Sequence, residues 1–96
     1  MRQSLLRKQT AVARIREEID LTDQMIVILL SHRQALVEEV GKWKKQHGAA
    51  IGDAKREKNI MESVLAFAGE AHLDPAFLKR IYEAIFDYSR EVQRAV

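Results

Sequence analysis

The sequence predicts an all-α protein with three helices, one long and two shorter. Only one Pro and four Gly occur among 96 residues, far fewer than a β-rich chain needs for its turns. Apolar residues recur in steps of three and four, which is the spacing of one face of a helix. Two short polar or glycine-containing breaks separate the periodic stretches. A chain of this length supports one hydrophobic core, so we expect a single domain over residues 1–96.

The first predicted helix runs from about residue 6 to about residue 46. Neither Gly nor Pro occurs before Gly41, and that glycine costs up to ~1 kcal/mol relative to Ala inside a helix. One stripe of the helix carries mostly apolar residues in a near-heptad series. This stripe consists of Val12, Ile15, Ile19, Thr22, Ile26, Leu29, Arg33, Leu36, Val40 and Trp43.

The second predicted helix runs from about Ala54 to about Ala68, after a break at residues 47–52. Asp53 precedes it and is a suitable N-cap, because its carboxylate can accept a hydrogen bond from the first turn. Gly69 follows it and is predicted as its C-terminal cap.

The third predicted helix begins at Asp74 and Pro75 and ends at about Arg94. An N-cap residue followed by Pro at the first helical position is a strong start signal. Its apolar face is formed by Leu78, Ile81, Tyr82, Ile85 and Val92.

The first helix is too long for the chain that carries it. Forty residues span ~60 Å at ~1.5 Å per residue, whereas a compact chain of this length has a diameter near ~32 Å. Half of the helix would project into water with its apolar stripe exposed. We therefore expect an intertwined homodimer in which the long helices of two chains pack together.

Composition excludes several classes of function. The net charge is +2, and neither half of the chain forms a basic patch, so nucleic acid is not an expected partner. The absence of Cys excludes disulfides, thiolate chemistry and cysteine zinc sites. No stretch approaches ~18 consecutive apolar residues, so no membrane span is predicted. No signal peptide is visible in the first ten residues, and we expect a cytoplasmic protein.

Four polar side chains fall on faces that are otherwise apolar. Arg33 lies on the apolar stripe, either with its charged end in water or directed into an anion site. Lys44 lies ~20° further around the helix and ~16 Å along it, and is either simply solvated or directed at the same ligand. Ser89 and Gln93 lie four residues apart on the third helix, where they either end a core or contact a ligand.

A charged run opens the second helix, where Asp53, Arg56 and Glu57 occur together. Capping and the helix dipole are sufficient reasons for these charges, and a ligand is the alternative. The three histidines lack metal-ligand spacing, and no phosphate loop or catalytic nucleophile is visible, so no metal site is predicted.

These polar residues occur in a fixed order along the chain: Arg16 in I-R-E-E-I-D, Asp23, Arg33 in L-L-S-H-R, Lys44, the run D-A-K-R-E from Asp53, Ser89 and Gln93. The order resembles the all-helical chorismate mutases, in their small monofunctional dimeric form. The similarity extends from about Ala13 to Gln93 without a gap. No single motif is specific, whereas the eight functional positions in register, which are those named above without Asp23, are specific together.

The resemblance implies a Claisen rearrangement of chorismate to prephenate, in the phenylalanine and tyrosine branch of the shikimate pathway, with no cofactor and no metal. Arg16 and Arg33 would pair with the two substrate carboxylates, and Arg16 would come from the partner chain. Arg56 and Ser89 would assist them.

The resemblance also implies roles at the reacting atoms and at the ring. Lys44 would contact a carboxylate and the ether oxygen of the bond that breaks, and Gln93 would donate to the same oxygen. Glu57 would hold the ring hydroxyl, with Asp53 nearby.

The chemistry suits these residue types. A pericyclic reaction needs no nucleophile or general base, but it needs the flexible dianion held in a reactive conformer. It also needs positive charge at the oxygen where negative charge develops. Arg16 and Arg33 lie ~25 Å apart along one straight helix, too far for one small substrate to contact both from a single chain.

Two further classes of function stay open. A related mutase or lyase acting on 4-amino-4-deoxychorismate or isochorismate would carry a similar set, since Glu57 can hold a hydroxyl or an ammonium. A non-catalytic helical dimer that serves as an adaptor would also show the apolar stripe, but it would not need Arg33, Ser89 and Gln93 on inward faces.

Overall fold

The computed structural model describes residues 2–96 and contains, within them, three α-helices and no strand. Helix α1 spans Arg2–His47, α2 spans Ala54–Glu70 and α3 spans Pro75–Ala95. The predicted all-α class and the three helices are confirmed, and α1 begins four residues earlier than expected. Across the same residues, no helix combines the length and the apolar character that a membrane crossing requires.

The chain divides into two compact units, and the boundary between them falls within α1. The first unit ends at Arg33 and consists of the amino-terminal part of α1. Its large apolar side chains are exposed in the single chain, as shown by Ile19 at 51% and Leu29 at 63%. This part of the helix therefore buries none of its apolar stripe within its own unit.

The second unit, Gln34–Val96, contains the end of α1 together with α2 and α3. Helices α2 and α3 pack against each other. The end of α1 contacts α3 from Gln34 beside Tyr88 to Lys45 beside Val96. The contacts follow the same order along both helices, so these two segments run in the same direction.

The second unit has buried residues on all three helices, with Gly41 on α1. Ala68, Phe86 and Val92 are buried, and the ring of Tyr82 packs edge-to-face on Phe86 with centroids 5.9 Å apart. Of the predicted apolar face of α3, Val92 is buried and Tyr82 is half-buried, whereas Ile81 is 37% exposed.

The two predicted N-caps are confirmed. The Asp53 carboxylate accepts a hydrogen bond from the Arg56 backbone N–H at 3.0 Å. The Asp74 carboxylate accepts one from the Ala76 N–H at 3.0 Å, with Pro75 in the first turn. Each cap satisfies an N–H that has no partner within the helix.

The prediction that Gly69 caps α2 is wrong. The helix continues through Gly69 to Glu70, and His72 takes the left-handed conformation with φ 55°. The Leu73 N–H donates to the Ala68 carbonyl at 2.9 Å and the His72 N–H to the Gly69 carbonyl at 3.4 Å, which is a Schellman closure. The position of these hydrogen bonds, and not the presence of a glycine, decides where the helix ends.

Helix α1 ends in the same type of closure, but with glycine at the left-handed position. Gly48 has φ 64°, and the Ala49 N–H donates to the Lys44 carbonyl at 2.9 Å. This closure ends α1 three residues after Lys44 and starts the connection to α2.

Candidate active site

Lys44 and Gln93 meet between α1 and α3. The Lys44 ammonium donates a hydrogen bond to Oε1 of Gln93 at 3.3 Å, and both side chains are half-buried. Because the carboxamide oxygen faces the lysine, the carboxamide nitrogen lies on the other side with its two N–H donors. The pair therefore combines a fixed positive charge with an oriented neutral donor.

Gly41 explains why α3 comes so close to α1 beside this pair. A Cβ atom at Gly41 would lie 2.7 Å from Cγ2 of Val96 and 3.1 Å from Cα of Gln93. Only a residue without a side chain permits this approach of the two backbones. The glycine that weakens the helix by propensity thus places Gln93 within reach of Lys44.

Glu57 is held by an arginine of α3. Nη1 of Arg90 lies 2.6 Å from Oε1 and 2.7 Å from Oε2 of Glu57, and Nη2 of the same guanidinium pairs with Asp87. Glu57 and Arg90 are one-quarter and one-third exposed, whereas Asp87 is mostly exposed. The hydrogen bond to Glu57 is the main cause that raises the pKa of Arg90.

The other residues predicted in this unit lie on α2, its cap and α3. Ser89 precedes Arg90 and lies one turn before Gln93, and its hydroxyl donates to the Ile85 carbonyl at 2.7 Å. The Asp53 carboxylate is used as the N-cap of α2, and the Arg56 side chain is exposed.

Arg16 and Arg33 belong to the first unit, where both lie on α1. The Arg16 side chain is exposed and Arg33 is half-buried. Of the eight predicted site residues, the contacts in the second unit join Lys44 to Gln93 directly, and they attach Glu57 to a residue outside the predicted set.

Sequence reasoning missed Arg90 and the packing role of Gly41. A signal for Arg90 exists, because it lies four residues after the buried Phe86 and hence on the inward face of α3. The pairing with Glu57 depends on the register in which α3 packs on α2, and this register cannot be read from the sequence.

The second unit therefore presents an ammonium, a carboxamide, a hydroxyl and a partly neutralised carboxylate on adjoining helices. The ammonium and the carboxamide nitrogen are donors that bind anionic or oxygen-rich ligands, whereas the carboxylate accepts from a ligand donor. They also stabilise negative charge that develops on a ligand oxygen, without forming a covalent bond.

Comparison with known proteins relates this chain to chorismate mutases. The sequence model of the family described as "Chorismate mutase type II" matches residues 15–94. The chain is 30% identical over 82 residues to a bifunctional chorismate mutase/prephenate dehydratase of Escherichia coli (strain K12), covering 85% of this chain and 21% of that protein. It is 29% identical over 83 residues to a chorismate mutase of Methanocaldococcus jannaschii, covering 86% of this chain and 84% of that protein.

A third relative carries a different substrate in its name. The chain is 24% identical over 78 residues to a 4-amino-4-deoxychorismate mutase of Streptomyces venezuelae, covering 81% of this chain and 76% of that protein. The chain spans about a fifth of the length of the bifunctional relatives.

Proposed function

The chain belongs to the chorismate mutase type II family, a family of isomerases, and we propose that it converts chorismate to prephenate in the phenylalanine and tyrosine branch of aromatic amino acid biosynthesis. The single observation that supports this function most strongly is the Lys44–Gln93 contact. It provides a cation and an oriented amide at one place, which is what the breaking C–O bond of chorismate requires.

In the proposed mechanism, the ether oxygen of chorismate replaces Oε1 of Gln93 as the acceptor of the Lys44 ammonium and also accepts a hydrogen bond from the Gln93 carboxamide nitrogen. As the C–O bond breaks and the new C–C bond forms, negative charge develops on this oxygen. Both donors stand on helices that are already packed together, so only the Gln93 carboxamide must turn its nitrogen toward the ether oxygen, and the two hydrogen bonds then strengthen in the transition state. No proton leaves the substrate and no cofactor or metal is required by this scheme.

The remaining roles in the proposal follow the family resemblance. Arg33 and the partner's Arg16 bind the two carboxylates and thereby hold the dianion in its compact conformer. Arg56 and Ser89 assist at the carboxylates. Glu57 accepts a hydrogen bond from the ring hydroxyl, and Asp53 lies at the start of the same helix.

We propose that the protein acts as a homodimer with active sites shared between chains. The proposal is supported by the apolar stripe of α1, which is exposed in the single chain at Ile15, Ile19 and Ile26. A continuous apolar stripe of this kind is normally covered by a partner, and a second copy offers the same stripe in return. A cytoplasmic location is part of the same proposal and rests on the family resemblance.

The proposed function is tested by adding the purified protein to chorismate and following the loss of chorismate absorbance. The parent should consume chorismate, and Lys44→Ala should lower kcat/KM by at least about a hundredfold, as removal of a transition-state donor does. Lys42→Ala is the matched control, because Lys42 is an exposed lysine of the same helix, and it should leave kcat/KM unchanged. A folded parent that consumes no chorismate contradicts the proposal.

The similarity to the Streptomyces relative supports one second candidate, a mutase acting on 4-amino-4-deoxychorismate. The same assay with this substrate and with isochorismate decides between the candidates by the ratio of their kcat/KM values. A folded dimer that is inactive on all three substrates is the result expected of a non-catalytic adaptor.

A further inference from the structure

Arg90 contacts the one carboxylate that the proposed mechanism places at the ring substituent, yet it has no part in that mechanism. Its Nη1 atom bridges both oxygens of Glu57 at 2.6 and 2.7 Å. Its Nη2 atom pairs with Asp87, three residues earlier on α3. The guanidinium is thus fixed between carboxylates from two helices. The aliphatic part of the Arg90 side chain passes Gly52, and its Cδ lies 3.6 Å from where a Cβ added at Gly52 would stand.

We propose that Arg90 is a specificity-determining positioning residue: by holding both oxygens of Glu57 and offsetting their charge, it makes this end of the site prefer a ring hydroxyl over a ring ammonium. The inference rests on the proposed function, since it names the substrate class that the same site selects. It assigns a role to a residue that acts through Glu57 and does not itself touch the reacting atoms.

The hydrogen-bonding capacity of Glu57 permits this role. An ionised carboxylate offers about four lone-pair positions, and Arg90 occupies one on each oxygen. The remaining positions still accept a hydrogen bond from a neutral hydroxyl. Arg90 therefore orients Glu57 without removing its ability to bind the hydroxyl of chorismate.

The charge of the pair decides between the two substituents. An unpaired Glu57 would attract an ammonium strongly in this partly desolvated place, whereas the Glu57–Arg90 pair is neutral and puts a cation next to the ligand. Asp87 adds a second negative charge, but its side chain is 72% exposed, so solvent screens it far more than it screens Glu57 at 26%. The guanidinium of Arg90 is charged at every assay pH, as that of any arginine is.

The test compares kcat/KM for chorismate and for 4-amino-4-deoxychorismate in the full-length protein. Arg90→Gln removes the charge and should lower the preference for chorismate, expressed as the ratio of the two kcat/KM values, by at least about tenfold. Arg90→Lys keeps a charge beside Glu57 but loses the fork, and should retain most of the preference. Arg94→Gln is the matched control, an exposed arginine one turn further along α3, and should leave the ratio unchanged.

A residue with only a structural role would lower both kcat/KM values by the same factor. The inference is overturned if folded Arg90→Gln keeps the parent's ratio of the two kcat/KM values, or if Arg90→Lys loses as much of the preference as Arg90→Gln does. In either case the parent's activity on chorismate leaves the proposed function standing. A parent inactive on both substrates overturns the two together. If Arg90→Gln fails to fold, Arg90→Met and Arg90→Lys supply the same comparison of a neutral with a charged side chain.

Discussion

The Lys44 ammonium on α1 donates to the carboxamide oxygen of Gln93 on α3 across 3.3 Å. This contact fixes which end of the carboxamide is free, because the oxygen is engaged and the nitrogen keeps its donors. The contact thus brings two donor-bearing side chains from different helices to the same place. Our central proposal is that this pair stabilises the ether oxygen of chorismate as its bond breaks.

Gln93→Glu should have strongly pH-dependent activity. At neutral pH the introduced carboxylate repels the negative charge of the ether oxygen, and kcat/KM should fall by at least about a hundredfold. A protonated carboxyl can donate, so activity should recover in acid. Because Lys44 lies beside this position, it lowers the pKa of the introduced group, and recovery should occur only below about pH 4.

The control for this pH profile is Gln46→Glu, the same change at an exposed position near the end of α1. It should follow the parent profile at every pH. Far-UV circular dichroism establishes that the helices persist in acid. A Gln93→Glu profile parallel to that of the parent would remove Gln93 from the ether oxygen.

Gly41→Ala and Gly69→Ala should have opposite effects on stability. An added methyl at Gly41 meets Cα of Gln93 at 3.1 Å, so α3 must shift, and we expect a loss of about 1 kcal/mol or more in the free energy of unfolding. At Gly69, also helical, no described atom beyond its chain neighbours and the adjacent backbone of its own helix lies within 4 Å of the added Cβ, and the gain in helix propensity should stabilise by about 0.5–1 kcal/mol. Urea unfolding measures both.

The same pair of variants separates packing from catalysis. The shift of α3 should also displace Gln93 from Lys44, so Gly41→Ala should lower kcat by about tenfold or more. Gly69→Ala should retain the parent kcat. Equal stability and equal kcat in the two variants would show that the close approach at Gly41 is not required.

Local signals predicted the helices well because their causes are local. The spacing of apolar residues, the Asp53 cap and the Asp74–Pro75 start each act within one or two turns, and the structure bears them out. The C-terminus of α2 was mispredicted because His72, and not Gly69, takes the left-handed position. Glycine is favoured there, but the chain can take that conformation with another residue at a cost.

The site was less predictable because its contacts join distant parts of the chain. The Glu57–Arg90 pair spans 33 residues and the Lys44–Gln93 pair spans 49. The resemblance selected Lys44, Glu57 and Gln93 by residue type and order. It did not indicate Arg90, because that residue matters only through the register in which α3 packs on α2.

His72→Gly should stabilise the protein. His72 has φ 55° at the end of α2, and a non-glycine residue pays about 1 kcal/mol for this conformation relative to glycine. The midpoint of urea unfolding should rise accordingly, with kcat/KM unchanged. His72→Ala is the control: it removes the imidazole but keeps the Cβ atom, and should bring no comparable gain. A gain of the same size in both variants would attribute the effect to the imidazole.

Mixing two inactive variants should restore activity if the sites are shared between chains. Arg16→Ala and Arg33→Ala should each be nearly inactive as homodimers, because every proposed site then lacks one arginine. When the two are unfolded together and refolded, about half of the dimers are mixed. In each mixed dimer, one of the two sites receives Arg16 from the Arg33→Ala chain and Arg33 from the Arg16→Ala chain. About a quarter of all sites are then intact, so activity should return to about a quarter of that of the refolded parent.

Native mass spectrometry of the refolded sample verifies that mixed dimers have formed. Sites built within single chains could not recover on mixing. Activity that stays at the level of the separate variants, with mixed dimers present, would rule out the shared site.

The most direct test of the central claim is the identity of the product, followed by NMR during incubation of the purified protein with chorismate. A Claisen rearrangement moves the enolpyruvyl group within one molecule, so prephenate should appear mole for mole as chorismate disappears, with no pyruvate released. The same spectra recorded with Lys44→Ala should show unchanged chorismate over that time. Release of pyruvate, or formation of prephenate at the parent rate by Lys44→Ala, would contradict the account.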